Sequence, residues 1–175
     1  MTTSRRSFLK LGGVAALVLA AGGGVYRLVN GPAPARLFVL DGEARAAIEA
    51  MVPAMLDGAL PTEAAARGAA IAATTAGVHK AILGLPLAAQ KELQDLFGLL
   101  AIGPVRRWLA GVPDNWAQAP VADVSAFLQG WRTHRLGMLQ GAYAALHDLI
   151  IGSWYAVPSS WAAISYPGPL KELSV

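Results

Sequence analysis

The sequence predicts an all-α protein, a bundle of about five helices with an N-terminal signal segment and an extended C-terminal tail. Alanine supplies 35 of the 175 residues, a bias that favours helix over strand. Apolar residues recur at three- and four-residue steps, whereas the alternation typical of strands is hard to find. A chain of this length is expected to form one domain, which we place at residues 36–175.

Composition excludes several classes of protein. Hydrophobic residues make up 55% of the chain and charged residues only 14%, which is not the composition of a disordered protein. The chain has no cysteine, so disulfide scaffolds, cysteine-ligated zinc or iron–sulfur sites and haem attached through cysteine are excluded.

The net charge of +3 lies in the N-terminal segment. Residues 1–35 hold four basic residues and no acid, so the remaining 10 basic and 11 acidic residues leave residues 36–175 at −1. A domain without excess positive charge gains little from the release of counterions on binding phosphates. No nucleic-acid partner is therefore expected.

Residues 1–35 have the three parts of a secretory signal. Arg5 and Arg6 begin it, Leu11–Tyr26 carries no charge, and Ala33 and Ala35 are the small residues of a cleavage site after Ala35. As a helix the uncharged stretch would span about 24 Å, less than the roughly 30 Å of a bilayer core. An export segment is the preferred interpretation; a retained membrane helix reaching Val29 is the alternative.

Capping residues and breakers place the helices. Asp41 is expected to cap a first helix that runs to about Leu56 and is ended by Gly58 and Pro61. Thr62 is expected to cap an alanine-dense second helix, whose small side chains would let a neighbouring helix approach closely. The remaining elements are a third helix from Pro86 to Gly103, a short helical piece over 104–110 and a loop to Pro120. A helix over 121–135 follows, and a last helix over 136–151 either continues that helix or starts anew.

Spacing argues against a metal or nucleophilic site. His79, His134 and His147 show none of the one-turn spacings of helical metal sites, so each is expected to be an ordinary structural histidine. His147 and Asp148 are expected to diverge, because neighbours on a helix point about 100° apart.

Other motifs of catalysis and cofactor binding are also missing. Ser153, Ser159 and Ser160 lack a nucleophile-elbow sequence and are expected to form turns. The glycines give neither a dinucleotide fingerprint nor a phosphate loop. No catalytic, cofactor-binding or metal-binding residue is therefore predicted in this chain.

The tryptophans divide into two groups. Trp108, Trp116 and Trp131 are expected to pack in the core or beneath a loop. The tail from about Gly152 is dense in aromatic residues and proline, and it is expected to be an extended strip that lies either on its own bundle or on a partner. The predicted partner interface consists of Trp154, Tyr155, Trp161, Tyr166, Pro167, Gly168 and Pro169.

The start of the chain resembles the twin-arginine (Tat) export signal. The resemblance is carried by Arg5-Arg6 followed by Phe8-Leu9-Lys10. It implies export in the folded state to the periplasm through the Tat translocase, with membrane association if the leader is retained. Because Tat signals usually serve cargo loaded with a cofactor or partner, a chain without cofactor motifs suggests that the loaded component is another subunit.

Three segments together resemble the small subunits of periplasmic FAD-dependent dehydrogenases of the glucose-methanol-choline (GMC) oxidoreductase type, the gluconate 2-dehydrogenase subunit 3-like group, which includes sorbitol-fructose dehydrogenase small subunits. They are the leader, Met51-Val52-Pro53-Ala54 with Gly58-Ala59-Leu60-Pro61, and the tail from Gly152 to Pro169. In such complexes the large subunit holds the flavin and the catalytic groups, and electrons often leave through a cytochrome c subunit.

The resemblance implies that this chain is a non-catalytic accessory subunit that binds, stabilises and co-exports a sugar- or alcohol-oxidising flavoenzyme, with FAD in the partner. Two other functions stay open. One is a stand-alone periplasmic helical protein that binds an apolar ligand between alanine-rich helices. The other is an enzyme that uses its scattered histidines and serines.

Overall fold

The computed structural model describes residues 37–164 except Asp114, together with residues 166–168. This part of the chain contains α-helices and no strand, which confirms the all-α prediction. The export residues Arg5, Arg6, Phe8, Leu9 and Lys10, the cleavage residues Ala33 and Ala35, and Pro169 of the tail lie outside the described residues. The six α-helices of the described part are α1 (Gly42–Met55), α2 (Ala64–Leu83), α3 (Leu87–Ala101), α4 (Gly103–Val105), α5 (Val121–Arg132) and α6 (Gly137–Tyr155).

Helix α1 lies at the centre of the bundle and contacts α2, α3, α5 and α6. Asp41 caps it as predicted, because its Oδ1 accepts the Ala44 N–H at 2.8 Å. Gly58, with φ 74°, follows its C-terminal end, also as predicted. Met51 and Val52, from one of the segments that carry the family resemblance, are completely buried, so they contribute to the core rather than to the surface.

The cap of α2 differs from the prediction. Glu63, not Thr62, is the capping residue, and its two carboxylate oxygens accept the Ala65 N–H at 2.9 Å and the Ala66 N–H at 2.6 Å. These two hydrogen bonds, that from Ala65 first, lower the pKa of the Glu63 carboxyl. The longer side chain reaches two of the free N–H groups of the first turn at once, which a threonine hydroxyl cannot do.

Helix α2 packs against α6, as its small side chains predicted. At the closest point a Cβ atom on Gly77 would lie 3.0 Å from the Cβ of Ser153. Glycine at this position therefore permits the close approach of the two helices. Ser153 is a buried residue inside α6, so the prediction that it forms a turn is wrong.

A buried glutamine, Gln90, links the first described residues to the bundle by hydrogen bonds. Gln90 is 2% exposed, and its Oε1 accepts the Phe38 N–H at 3.0 Å. Its Nε2 donates to the carbonyl oxygens of Leu83 at 3.2 Å and Leu85 at 2.8 Å. One side chain thus joins residues 37–40, the end of α2 and α3, and its buried polar atoms are hydrogen-bonded.

An aromatic cluster of Trp116, Phe127 and Trp131 lies where the 111–120 loop meets α5. Trp116 and Trp131 are buried, as predicted, and both pack on Phe127, with ring centroids 5.9 and 4.6 Å from it. Their indole N–H groups donate to the carbonyl oxygens of Leu100 at 3.1 Å and Leu109 at 3.2 Å. The large rings are therefore buried without leaving a polar atom unpaired.

Trp108 is not buried, contrary to the prediction. It lies in a π-helical turn over Arg106–Ala110, which follows α4 and which we call the π-turn. The two ends of this turn, Arg106 and Ala110, face inward, and Trp108 between them is 81% exposed. A short helical piece over 104–110 was predicted correctly, but the π-turn changes which of its residues face the core.

The last two long helices are separate. The sequence left open whether the second continues the first or starts anew, and in the structure it starts anew. Helix α5 ends at Arg132 and α6 begins at Gly137. Helix α6 then continues to Tyr155, beyond the residue at which we expected the tail to begin. Residues Pro158–Ile164 form a 3₁₀ helix instead of an extended strip. None of the helices in the described part is both long and apolar enough to cross a membrane.

Candidate functional site: an apolar groove between three helices

A large open groove is bounded by α2, α3 and α6. Helix α6 lines it from Met138 to Ser153, which is almost its whole length. Gly77 and Ala81 of α2 and Leu96 of α3 are among the residues of the other two walls. The groove therefore follows the length of a helix and is not a local pit.

The groove is large and apolar. Its volume is about 1240 Å³, and only four of its 24 lining residues are charged. Pockets for small molecules typically have volumes of about 300–1000 Å³, so this groove is larger than most of them. Two of its lining residues, Leu99 of α3 and Met138 of α6, are 42% and 78% exposed, which shows that the groove is open to solvent.

The charged lining residues are exposed and carry opposite signs. They are Lys80, Glu92, Asp95 and Asp148. Asp95 is already paired with Lys91, one turn away on α3. An apolar floor with an exposed polar rim is the usual arrangement of a protein–protein interface.

Small residues on α6 leave the groove open. Gly141, Ala145 and Gly152 all line it and are exposed. No side chain within 4 Å fills the space where a Cβ atom of Gly141 or Gly152 would lie. The backbone of α6 is therefore accessible to a close-packing neighbour from the groove side, as α2 already packs closely on it at Gly77.

The predicted interface residues of the tail do not form one exposed surface. Trp154 is 8% exposed and belongs to the hydrophobic core, and Tyr155 packs against that core. Both are part of α6. In this conformation they face their own chain, and their contact with a partner stays a prediction.

The rest of the described tail folds over Trp161. The Trp161 indole N–H donates to the Tyr155 carbonyl at 2.7 Å, and the Tyr166 N–H donates to the Trp161 carbonyl at 3.0 Å. The two aromatic rings meet edge to face at 5.3 Å. Gly168, with φ 95°, lies under the indole, where a Cβ atom would be 3.0 Å from Cζ3. Tyr166 is still 46% exposed, so the tail packs partly on itself and partly faces solvent.

Each histidine has its own local contact. His79 packs against Phe38 with ring centroids 6.0 Å apart, and His134 Nδ1 accepts the Leu136 N–H at 3.1 Å. His147 Nδ1 lies 3.0 Å from Asp148 Oδ1, so the expectation that these side chains diverge is wrong. Both side chains are long enough to bend toward each other across the solvent-exposed surface of α6. Among the described residues, no three histidine or acidic side chains come together to hold a metal ion.

The remaining serines agree with their predicted role in turns. Ser160 Oγ donates to the Val157 carbonyl at 2.8 Å in the 3₁₀ helix after α6. Ser159 is exposed in the same turn.

Sequence reasoning did not predict the groove. The available signal was that α2 and α6 are apolar or small around most of their circumference, without a clear polar face. Such helices are typical of a position that is buried on more than one side. One side of each is covered by the bundle, and the groove exposes another.

Comparison with known proteins found no match to this chain among family models, curated proteins or solved structures.

Proposed function

We propose that this chain is a non-catalytic accessory subunit that binds, stabilises and co-exports an FAD-dependent dehydrogenase large subunit through the Tat pathway, and that the groove is the surface which the partner covers. The single observation that supports it most is the open apolar groove, in a chain whose leader resembles a signal for folded cargo. The sugar or alcohol substrate and the flavin chemistry belong to the partner in this account.

Two features of the groove favour a protein partner over a small ligand. Its volume of about 1240 Å³ exceeds the usual range for small molecules, and Met138 at its edge is 78% exposed, whereas small-ligand sites bury most of the ligand. An uncovered apolar surface of this kind is also a typical mark of an interaction site.

The alternative function, binding of an apolar ligand between alanine-rich helices, is supported by the same apolar lining. The two functions make different demands on the groove. A small ligand would occupy part of it and leave the protein a monomer, whereas a partner subunit would cover its whole length.

The test is co-purification from the organism that encodes the chain. A C-terminally tagged full-length chain should recover a flavoprotein in a fixed ratio, visible as bound flavin and identified by mass spectrometry. A colourless monomer that carries an extractable lipid would support the alternative and contradict the proposal.

The export step has its own test. Replacing Arg5 and Arg6 by lysine should leave both this chain and the flavoprotein in the cytoplasm, as measured by fractionation. Normal export of the flavoprotein by that variant would contradict co-export while leaving the binding result unaffected.

A further inference from the structure

A second surface, separate from the groove, lies at the π-turn. Trp108 is 81% exposed there, whereas the other four tryptophans are buried or half-buried. It lines a pocket of about 480 Å³ with Arg106, Arg107, Gly103, Pro104 and Pro113.

The pocket is positively charged. The described part of its lining includes two arginines and no acidic residue. Neither arginine forms an ion pair with a carboxylate of the described residues, which do not include Asp114. A carboxylate from outside would therefore meet an excess of positive charge.

Arg106 is the unusual member. It is 7% exposed, and its buried Nε atom has no hydrogen-bond acceptor among the described residues. In the same part of the chain its Nη1 contacts the Ala101 carbonyl at 3.5 Å, which is a weak contact. Burying a guanidinium without a countercharge is costly, and binding an anion nearby reduces that cost.

Arg107 supplies accessible donors to the same pocket. This exposed arginine donates from Nη2 at 3.2 Å to the carbonyl of Pro113, another residue of the pocket lining. A guanidinium has five N–H donors, so this one contact leaves others free for a carboxylate. Arginine and tryptophan are also among the residue types most enriched in protein-binding hot spots.

We propose that Arg106, Arg107 and Trp108 form a binding site for a carboxylate-bearing, acidic segment of the partner protein. Arg107 binds the carboxylate, Arg106 contributes a fixed positive charge beneath it, and Trp108 packs against the apolar part of the same segment. The identity of that partner as the flavoprotein rests on the proposed function. The carboxylate chemistry of the site does not.

The site is tested with a dye-labelled peptide that alternates glutamate and leucine, whose binding to the full-length chain is followed by fluorescence anisotropy. Arg107→Glu and Trp108→Ala should each weaken binding at least tenfold at low salt. The matched controls are Arg135→Glu and Leu87→Ala, which change an exposed arginine and an exposed apolar residue outside the pocket and should bind like the wild type. Equal affinity of all five proteins would overturn the proposal, as would displacement of the peptide by inorganic phosphate at concentrations where acetate has no effect.

Co-purification separates this proposal from the proposed function. If the wild type recovers the flavoprotein, Arg107→Glu should recover at least fivefold less of it, and unchanged recovery would overturn the assignment of the acidic segment to that partner. If the wild type recovers no flavoprotein, the proposed function fails, and the peptide titration alone decides whether the site binds carboxylates.

Discussion

The aromatic cluster and the groove are both lined by apolar side chains, and Trp131 takes part in both, but only the cluster is closed. At the cluster, Trp116 and Trp131 are large enough to fill the space between their elements, and both indole N–H groups are hydrogen-bonded. At the groove, Gly141 and Ala145 leave the facing space empty.

The comparison shows that apolar composition alone does not tell which surface is buried. The size of the side chains decides whether each region is closed, because both regions are apolar and only the side chains of the cluster fill the space between their elements. A closed region should respond to mutation by losing stability, whereas an open one should lose binding. The predictions below test that difference, from the largest expected effect to the smallest.

Removing Trp116 should give the largest loss of stability. Trp116→Ala deletes a buried indole and leaves the Leu100 carbonyl without its donor, so the free energy of unfolding should fall by about 3–5 kcal/mol. Trp108→Ala is the matched control, because it deletes an exposed indole, and should change stability by less than about 0.5 kcal/mol. Urea denaturation followed by circular dichroism measures both, and equal losses would contradict the assigned burial.

Replacing Gln90 should give the next largest loss. Gln90→Leu keeps the volume but removes hydrogen bonds to the Phe38 N–H and to the Leu83 and Leu85 carbonyls, at a cost of about 1–3 kcal/mol for a buried group left unpaired. Gln94→Leu, which removes only the bond to the more exposed Val39 N–H, should cost clearly less. A difference of the opposite sign in urea denaturation would contradict the role given to Gln90.

Enlarging Gly77 should separate α2 from α6. Gly77→Val places side-chain atoms within 3.0 Å of Ser153, and overpacking of this kind costs about 1–3 kcal/mol. Gly68→Val lies on the same helix with open space around it and should change stability only by the small difference in helix propensity, which favours valine over glycine by well under 1 kcal/mol. Thermal unfolding of the two variants checks this, and equal melting temperatures would show that the helices are not tightly packed at Gly77.

The smallest effect concerns the α2 cap. The Glu63 carboxyl has a lowered pKa, so the cap stabilises the helix above the ordinary glutamate pKa of about 4.3, and this stabilisation is lost as the pH falls through the lower folded-state value. The amide proton shifts of Ala65 and Ala66 should therefore titrate below that ordinary value, as followed by NMR. Titration unchanged in Glu63→Gln would contradict the role of Glu63 as the cap.

The sequence was most informative about features that depend on residues close together in the chain. Asp41 and Gly58 act within a few residues of the helix they bound, so they could be recognised directly. Trp108 was misassigned because a π-turn alters the register of facing residues, and no propensity rule identifies such a turn. Gln90 and the groove depend on how distant helices meet, which helix periodicity does not specify.

The placement of the tail shows the same limit. Its aromatic residues were recognised as needing a surface, but burial of Trp154 follows from the extension of α6 by one turn beyond the expected end. The contact between Trp161 and Tyr166 further depends on Gly168 and its positive φ.

The most direct test of the groove's role compares two neighbouring alanines of α6. Ala145 lines the groove, whereas the adjacent Ala144, which is also exposed, does not. Ala145→Trp should fill the groove and reduce the flavoprotein recovered with the chain at least tenfold, while Ala144→Trp should recover it like the wild type, with both variants folded by circular dichroism. Equal recovery by the two variants would contradict the account, because a partner that covers the groove cannot tolerate an indole at Ala145.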